Sequence, residues 1–86
     1  MANKNFSALT TSWVAITSLI TPEDGKTYYI QNRGPFMVKA QESASTPTDD
    51  AGICIPAYKV LKYVKGTETL YLKSDGISEI NISDED

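Results

Sequence analysis

The stretch "TYYIQNRGPFMVKAQE", residues 27–42, decides the fold. In its first half, Tyr28 and Ile30 fall on one face of an extended chain, and in its second half Phe36, Val38 and Ala40 do the same. The turn-forming residues "NRGP" lie between the two halves. This arrangement predicts a β-hairpin whose first strand ends near Asn32.

Five further segments have strand composition and are separated by turn-forming residues. They are "WVAITS" (13–18), "GICIP" (52–56), "YKVLKYVK" (58–65), "ETLYLKS" (68–74) and "ISEINI" (77–82). The sequence therefore predicts an all-β fold, a small antiparallel β-sandwich or barrel of about seven short strands. An amphipathic helix over Leu9 to Ile20 is the alternative, and its β-branched, Ser, Thr and Trp content disfavours it.

The chain divides into three parts. Residues 1–11 are polar with isolated Phe6 and Leu9, which predicts a flexible N-terminal arm that orders only beside a neighbour. Residues 12–83 form the β-sandwich domain, and residues 84–86 form an acidic tail. Inside the domain, "SASTPTDDAG" (43–52) predicts a long loop that crosses between sheets or lies over a neighbour.

Size and charge limit the classes of function. A chain of 86 residues has a small core, and its one cysteine and lack of histidine exclude an internal disulfide and the usual zinc sites. Oligomerisation or docking onto a larger body remains as a source of stability. The net charge of −3 disfavours nucleic acid as a partner. No apolar run suits a membrane span or a signal peptide, so we expect assembly in the cytoplasm.

The residues give little support to catalysis. Histidine, the usual general base, is absent, and the neighbouring acids Glu23-Asp24 and Asp49-Asp50 lie in turn-rich segments. Cys54 stands between two isoleucines, which predicts a buried and inert thiol. We expect no enzyme activity, no cofactor and no metal site.

Several lysines and tyrosines in residues 58–65 suggest a second possibility. A mixture of basic and aromatic side chains is typical of proteins that bind single-stranded nucleic acid. In a regular strand, however, Lys59 and Lys65 lie on one face and Lys62 on the other. Lysines at solvated sheet edges that discourage aggregation are the simpler interpretation. The apolar residues on both faces of this segment predict packing on both sides, which hints at an interface.

Alternation leaves several large side chains opposite the core set or near its rim. These are Trp13, Tyr29, Met37 and Tyr71. They form either a second core layer or a protein-binding surface, with Phe6 and Leu9 as anchors of the arm. Stacking on a carbohydrate is a third option.

The order of "SW", "GKTYYIQNRG", "ICIPAYKV" and "LYLKS" resembles that of small β-sandwich virion proteins of tailed bacteriophages. The resemblance spans residues 12–83 and implies a capsid decoration or head auxiliary subunit, found in the virion and assembled in the host cytoplasm. It further implies a homotrimer that binds the major capsid protein or another virion protein. The chain departs from the group at "PAY" (56–58), where many relatives have a Pro-Gly turn. A tail or head–tail joint protein is the alternative, and a carbohydrate-binding module is the alternative of another class.

Overall fold

A computed structural model describes residues 3–9, 11–49, 52–76 and 78–84, and for residues 3–9 and Ser78 only the backbone is described. Within these residues the chain forms eight strands and one 3₁₀ turn, Ile16–Ser18. The strands are β1 (Asn3–Leu9), β2 (Val14–Ala15), β3 (Thr27–Asn32), β4 (Val38–Ser43), β5 (Ile53–Ile55), β6 (Val60–Val64), β7 (Thr69–Ser74) and β8 (Ser78–Asp84). The predicted all-β class is confirmed.

The strands form two four-stranded antiparallel sheets that pack as a sandwich. Sheet I has the order β1-β8-β3-β6, and sheet II has the order β2-β7-β4-β5. Among the described strands, β4 and β5 are the consecutive pair that stays in one sheet. At the other connections the chain passes from one sheet to the other, so most neighbours in sequence face each other across the core.

The predicted hairpin between β3 and β4 is wrong. Both sides of β3 are occupied, by β6 and β8, and β4 pairs instead with β5 and β7. Asn32 explains the separation because its wholly buried side chain redirects the chain at the end of β3. Its Nδ2 donates to the carbonyl oxygens of Phe36 at 2.6 Å and Ile55 at 3.0 Å, and its Oδ1 accepts from the Gly34 N–H at 3.1 Å. These bonds tie the end of β3 to β5 of the opposite sheet.

The core lies between the sheets and follows the predicted alternation. In β3 and β7 every second residue is buried, as in strands that have one face toward a core. The buried apolar side chains are Ile16, Tyr28, Ile30, Val38, Ala40, Ile55, Tyr63, Leu70, Leu72, Ile80 and Ile82. Both sheets contribute to this cluster, which accounts for their face-to-face packing.

Residues 3–9, which fall within the predicted arm, form an edge strand of sheet I. β1 pairs antiparallel with β8, and its register shifts between Phe6 and Leu9. Strand pairing uses backbone groups, so a polar segment without a periodic apolar pattern can join an open sheet edge. The neighbour that this segment needs is β8 of the same chain. At the other terminus, Asp84 is the last residue of β8, and residues 85 and 86 lie outside the described part.

Four local expectations also fail in whole or in part. The predicted crossing between sheets after β4 is wrong, because β4 and β5 are neighbours in sheet II, while a loop that lies over a neighbour stays a prediction. Phe36, which the alternation places on the same face as Val38, is exposed, because β4 begins only at Val38 and Phe36 precedes it in the crossover. Cys54 is exposed because β5 is an edge strand and none of the described elements covers the outer face of sheet II there. The strand predicted over 13–18 is shorter, since the 3₁₀ turn follows Ala15 directly.

Candidate protein-binding surface

Strand β6 is an edge of sheet I with apolar side chains on its outer face. It pairs with β3 on one side, and no strand of the described part pairs with its other side. Val60 and Val64 are 55% and 52% exposed, and the exposed Lys62 lies between them on the same face. The segment "YKVLKYVK" predicts packing on both faces of this strand, and within the described part of the chain that prediction is wrong. We call Val60, Lys62 and Val64, with their backbone groups, the β6 edge.

The backbone of the β6 edge is available for a further strand. The Asn32 N–H donates to the Lys59 carbonyl at 2.9 Å, and the Lys65 N–H donates to the Lys26 carbonyl at 3.1 Å. In an antiparallel pair, every second residue directs its backbone N–H and C=O groups toward the partner strand. In β6 the odd-numbered residues direct these groups toward β3. The N–H and C=O groups of Val60, Lys62 and Val64 consequently point away from β3, toward the free side of the sheet.

The predicted residue Tyr29 belongs to the same surface. It lies in β3 directly opposite Lys62, and Gln31 lies opposite Val60. These are the pairs that do not exchange hydrogen bonds, in which side chains come closest across two antiparallel strands. Tyr29 is half-buried on the outer face of sheet I, so it extends the apolar area of the β6 edge inward from the rim.

The turn before β6 holds an exposed tyrosine in an unfavourable backbone conformation. Tyr58 has φ of 64°, and it is the non-glycine residue with positive φ among the described residues. The Lys59 N–H donates to the Pro56 carbonyl at 3.1 Å and closes this turn. Glycine normally occupies such a position, and a bulky side chain there costs on the order of 1 kcal/mol. Tyr58 is 65% exposed, so burial within this chain does not offset that cost.

The inner side of β6 is fixed by Tyr63, which packs against Tyr28 with ring centroids 6.4 Å apart. The Tyr63 hydroxyl is buried and has no hydrogen-bond partner among the described residues. Burial raises the pKa of Tyr63 above its ordinary value of 10.0, and the nearby Glu42 carboxylate raises it by a smaller amount. The nearby Gly66 backbone has the opposite, weaker effect on this pKa. The strand is therefore anchored in the core on one face and open on the other.

A second group of predicted residues lies on the outer face of sheet II. Tyr71 alternates with buried Leu70 and Leu72 and therefore points outward. Trp13 lies beside Lys73, whose Nζ is 5.1 Å from the ring centroid, and the Trp13 Nε1 donates to the Asp49 carbonyl at 3.0 Å. The indole is thus already occupied by a cation–π contact and a hydrogen bond.

The structure therefore divides the predicted site. Trp13 and Tyr71 share the outer face of sheet II, Met37 is exposed just before β4, and Tyr29 lies on the opposite sheet. Phe6 and Leu9 lie in β1, and their side chains fall outside the part that is described. Since Trp13 and Tyr29 are on opposite outer faces, these aromatic side chains do not form one platform for a carbohydrate.

Sequence reasoning did not name Val60, Val64 or Tyr58 as protein-binding residues, and Tyr58 entered only the nucleic-acid alternative. The available signal was the apolar pattern on both faces of "YKVLKYVK", which indicated an interface without showing which face was open. The burial of Tyr63 in the structure identifies the open face of β6, and the position of β6 in sheet I identifies its open edge.

A small pocket lies where β3 begins and β8 ends. It has a volume of about 280 Å³ and is lined by Ile20, Thr21, Glu23, Lys26, Tyr28, Ile82 and Asp84. Lys26 Nζ is 3.1 Å from an Asp84 carboxylate oxygen, and this hydrogen bond raises the pKa of Lys26. The Glu23 N–H donates to the Tyr28 hydroxyl at 2.8 Å. Lys26 is thus paired with Asp84, and the Tyr28 hydroxyl with the Glu23 backbone.

Other kinds of site have little support in the described residues. The described residues contain no cluster of three or more His, Cys, Asp or Glu side chains suited to a metal ion. None of their helices has the length and apolar character to cross a bilayer. Comparison of the chain with protein-family models, curated proteins and solved structures finds no match. The resemblance to phage virion proteins therefore stays a prediction from the residues.

Proposed function

We propose that this chain is a structural subunit that attaches to a larger protein assembly, in the manner of capsid decoration or head auxiliary proteins of tailed phages. The observation that supports this proposal is the β6 edge, where two valines are more than half exposed beside backbone groups that no described strand pairs with. Exposed, apolar edge strands attract other chains and are usually blunted in proteins that act alone.

The size of the surface favours attachment at several points. Fully burying a valine contributes about 1.5–3 kcal/mol, and Val60 and Val64 are already partly buried, so each adds about 1 kcal/mol on docking. Backbone hydrogen bonds to an added strand contribute about 0.5–1.5 kcal/mol each. Such a contact is weak alone once the cost of association is subtracted. A homotrimer would present three such edges at high effective concentration and would bind firmly.

The partner in this proposal is the major capsid protein or another virion protein, and assembly takes place in the host cytoplasm. A tail or head–tail joint position differs from a shell position in copy number. Deleting residues 1–11, which would test an arm, is a poor experiment here because it removes β1 and uncovers the edge of β8. Substitutions at the β6 edge leave both sheets complete.

The test has two parts. Virus particles purified from the source of the gene should contain the chain in a fixed ratio to the shell protein, measured by quantitative mass spectrometry. The recombinant double variant Val60→Thr/Val64→Thr, which keeps β-branched side chains, should bind stripped particles at least about ten-fold more weakly than the wild type. The matched control is Thr69→Ser on the outer face of sheet II, which should bind like the wild type. Absence of the chain from particles would overturn the proposal.

A further inference from the structure

The β6 edge lies in a basic stretch of an acidic protein. Residues 52–67 contain Lys59, Lys62 and Lys65 and no aspartate or glutamate, although the whole chain has a net charge of −3. Lys65 is engaged by Asp24, with 3.0 Å between Nζ and Oδ1. Lys59 and Lys62 are exposed, and no side chain among the described residues forms an ion pair with them. Within the described part of the chain, the outer edge of β6 therefore combines backbone groups without a partner strand, two exposed valines and positive charge without an ion pair.

We infer that the β6 edge binds an extended, acidic segment of a partner protein, which adds a fifth strand to sheet I. The inference rests on the proposed function and specifies the chemistry of its contact. A strand added to a sheet edge gains affinity from main-chain hydrogen bonds and specificity from alternate side chains. On the outer face, Val60, Lys62 and Val64 would lie beside an apolar, an acidic and an apolar residue of the partner.

Charge disfavours a second copy of this chain as the occupant. When two β6 strands pair antiparallel with Val60 opposite Val64, each Lys62 lies opposite the other Lys62. Like charges directly opposite each other on neighbouring strands are destabilising. The acidic strand β8 of a second copy is not available either, because it is enclosed between β1 and β3 in sheet I.

The test uses two short peptides that differ in one charge. The first is Ser-Val-Thr-Glu-Thr-Val-Ser with blocked ends, and the second has lysine in place of glutamate. Binding of each fluorescently labelled peptide to the full chain is measured by anisotropy. We expect the glutamate peptide to bind about five- to ten-fold more tightly, since opposite charges facing each other on neighbouring strands stabilise their pairing and like charges destabilise it.

The second half of the test reverses one charge in the protein. The variant Lys62→Glu should reverse the preference between the two peptides, whereas Lys39→Glu on the outer face of sheet II should leave it unchanged. Amide hydrogen exchange followed by NMR should show slower exchange at Val60, Lys62 and Val64 when the glutamate peptide is bound. Equal binding of both peptides, or binding without this protection, would overturn the inference. So would a dimer of the wild-type chain in sedimentation that buries the same three amides.

The two proposals fail in different ways. If the chain is present in particles and the peptides do not discriminate, the contact is not an acidic strand and the structural role stands. If the peptides discriminate and the chain is absent from particles, the edge binds an acidic strand of some other assembly.

Discussion

Replacing Asn32 with alanine tests the central feature of the fold. The Asn32 side chain is fully buried and makes at least three hydrogen bonds, to the carbonyl oxygens of Phe36 and Ile55 and to the Gly34 N–H. Two of its partners belong to the crossover between the sheets, and Ile55 belongs to the opposite sheet. Asn32→Ala therefore removes the link between sheet I and sheet II at this end of the sandwich.

The expected loss is large for so small a domain. A buried polar group that loses its partner costs about 1–3 kcal/mol. Partial rehydration of the carbonyl oxygens at the end of the sandwich reduces the sum over three groups, so we expect a loss of about 3–5 kcal/mol. At about 0.05–0.15 kcal/mol per residue, the total stability of 86 residues is about 4–13 kcal/mol. The variant should therefore lose a quarter or more of its free energy of unfolding.

Urea unfolding followed by tryptophan fluorescence measures this loss. With a slope of about 1 kcal/mol per molar urea, the midpoint should fall by about 3 M or more. The control is Gln31→Ala in the same strand, a half-buried residue on the outer face that should change stability by no more than about 0.5 kcal/mol. A loss below about 1 kcal/mol for Asn32→Ala would refute the reasoning, because the buried bonds would then contribute no more than surface ones.

Asn32→Asp separates hydrogen bonding from shape. The substitution keeps an acceptor for Gly34 but replaces the Nδ2 donor with oxygen, which faces two carbonyl groups. A buried carboxylate in that place has its pKa raised above its unfolded value of about 4, so its protonated form is favoured in the native state. Stability is then present below about pH 4 and is lost as the pH rises. Wild-type stability should not show this loss.

Three further predictions concern the core and its turns. Tyr63→Phe should be neutral or stabilise the protein by about 1 kcal/mol, because it removes a buried hydroxyl that has no described hydrogen-bond partner. Tyr28→Phe should destabilise it by about 1 kcal/mol, because it removes the hydrogen bond from the Glu23 N–H. Urea unfolding of the two variants compares these effects. Because the pKa of Tyr63 is raised, the native state holds more protons than the unfolded state above about pH 10, so stability should fall there with rising pH and fall less in Tyr63→Phe. Gly52→Ala should reduce stability by about 1–3 kcal/mol, since Gly52 has φ of 141° and an added Cβ would lie 2.7 Å from the Ala40 carbonyl oxygen. The control Gly66→Ala meets only ordinary contacts and should reduce stability by less than about 1 kcal/mol in the same measurement.

The positions of the strands could be predicted because they follow from local pattern. Period-two alternation located β3, β7 and β8 and the buried faces of Tyr28, Ile30 and Leu72. Each of the seven segments predicted as strands overlaps one of β2 to β8. The alternation of buried and exposed residues depends on which face of a strand meets the core, so it is the same whichever strand is the pairing partner.

Pairing could not be predicted, because it depends on which edges are already occupied. A turn such as "NRGP" suits a hairpin, but it also suits a crossover when a buried asparagine fixes its geometry. Nothing in the sequence distinguishes Asn32 from an exposed turn residue. β1 was missed for a related reason, since its pairing with β8 depends on an open edge and not on an apolar pattern of its own.

The candidate surface can be predicted in part. The sequence identifies Tyr29 and Trp13 as outward aromatic residues, and "YKVLKYVK" indicates an interface, but the sequence does not show that Tyr29 and Trp13 lie on different sheets. Whether a side chain points outward follows from its odd or even position within one strand. Which outward residues lie together follows only from the order of strands in each sheet.

The four edges of the sandwich differ in a way that bears on function. Short strands offer few groups to a further strand, and β2 and β5 have only two and three residues. β6 has five residues and two exposed valines, and Lys62 is the charged side chain on its outer face. One lysine in that position opposes pairing with a second β6 and attracts an acidic strand, so the same charge gives both protection and selectivity. The lysine at this edge, which the sequence explains as protection from aggregation, therefore also suits the choice of a partner.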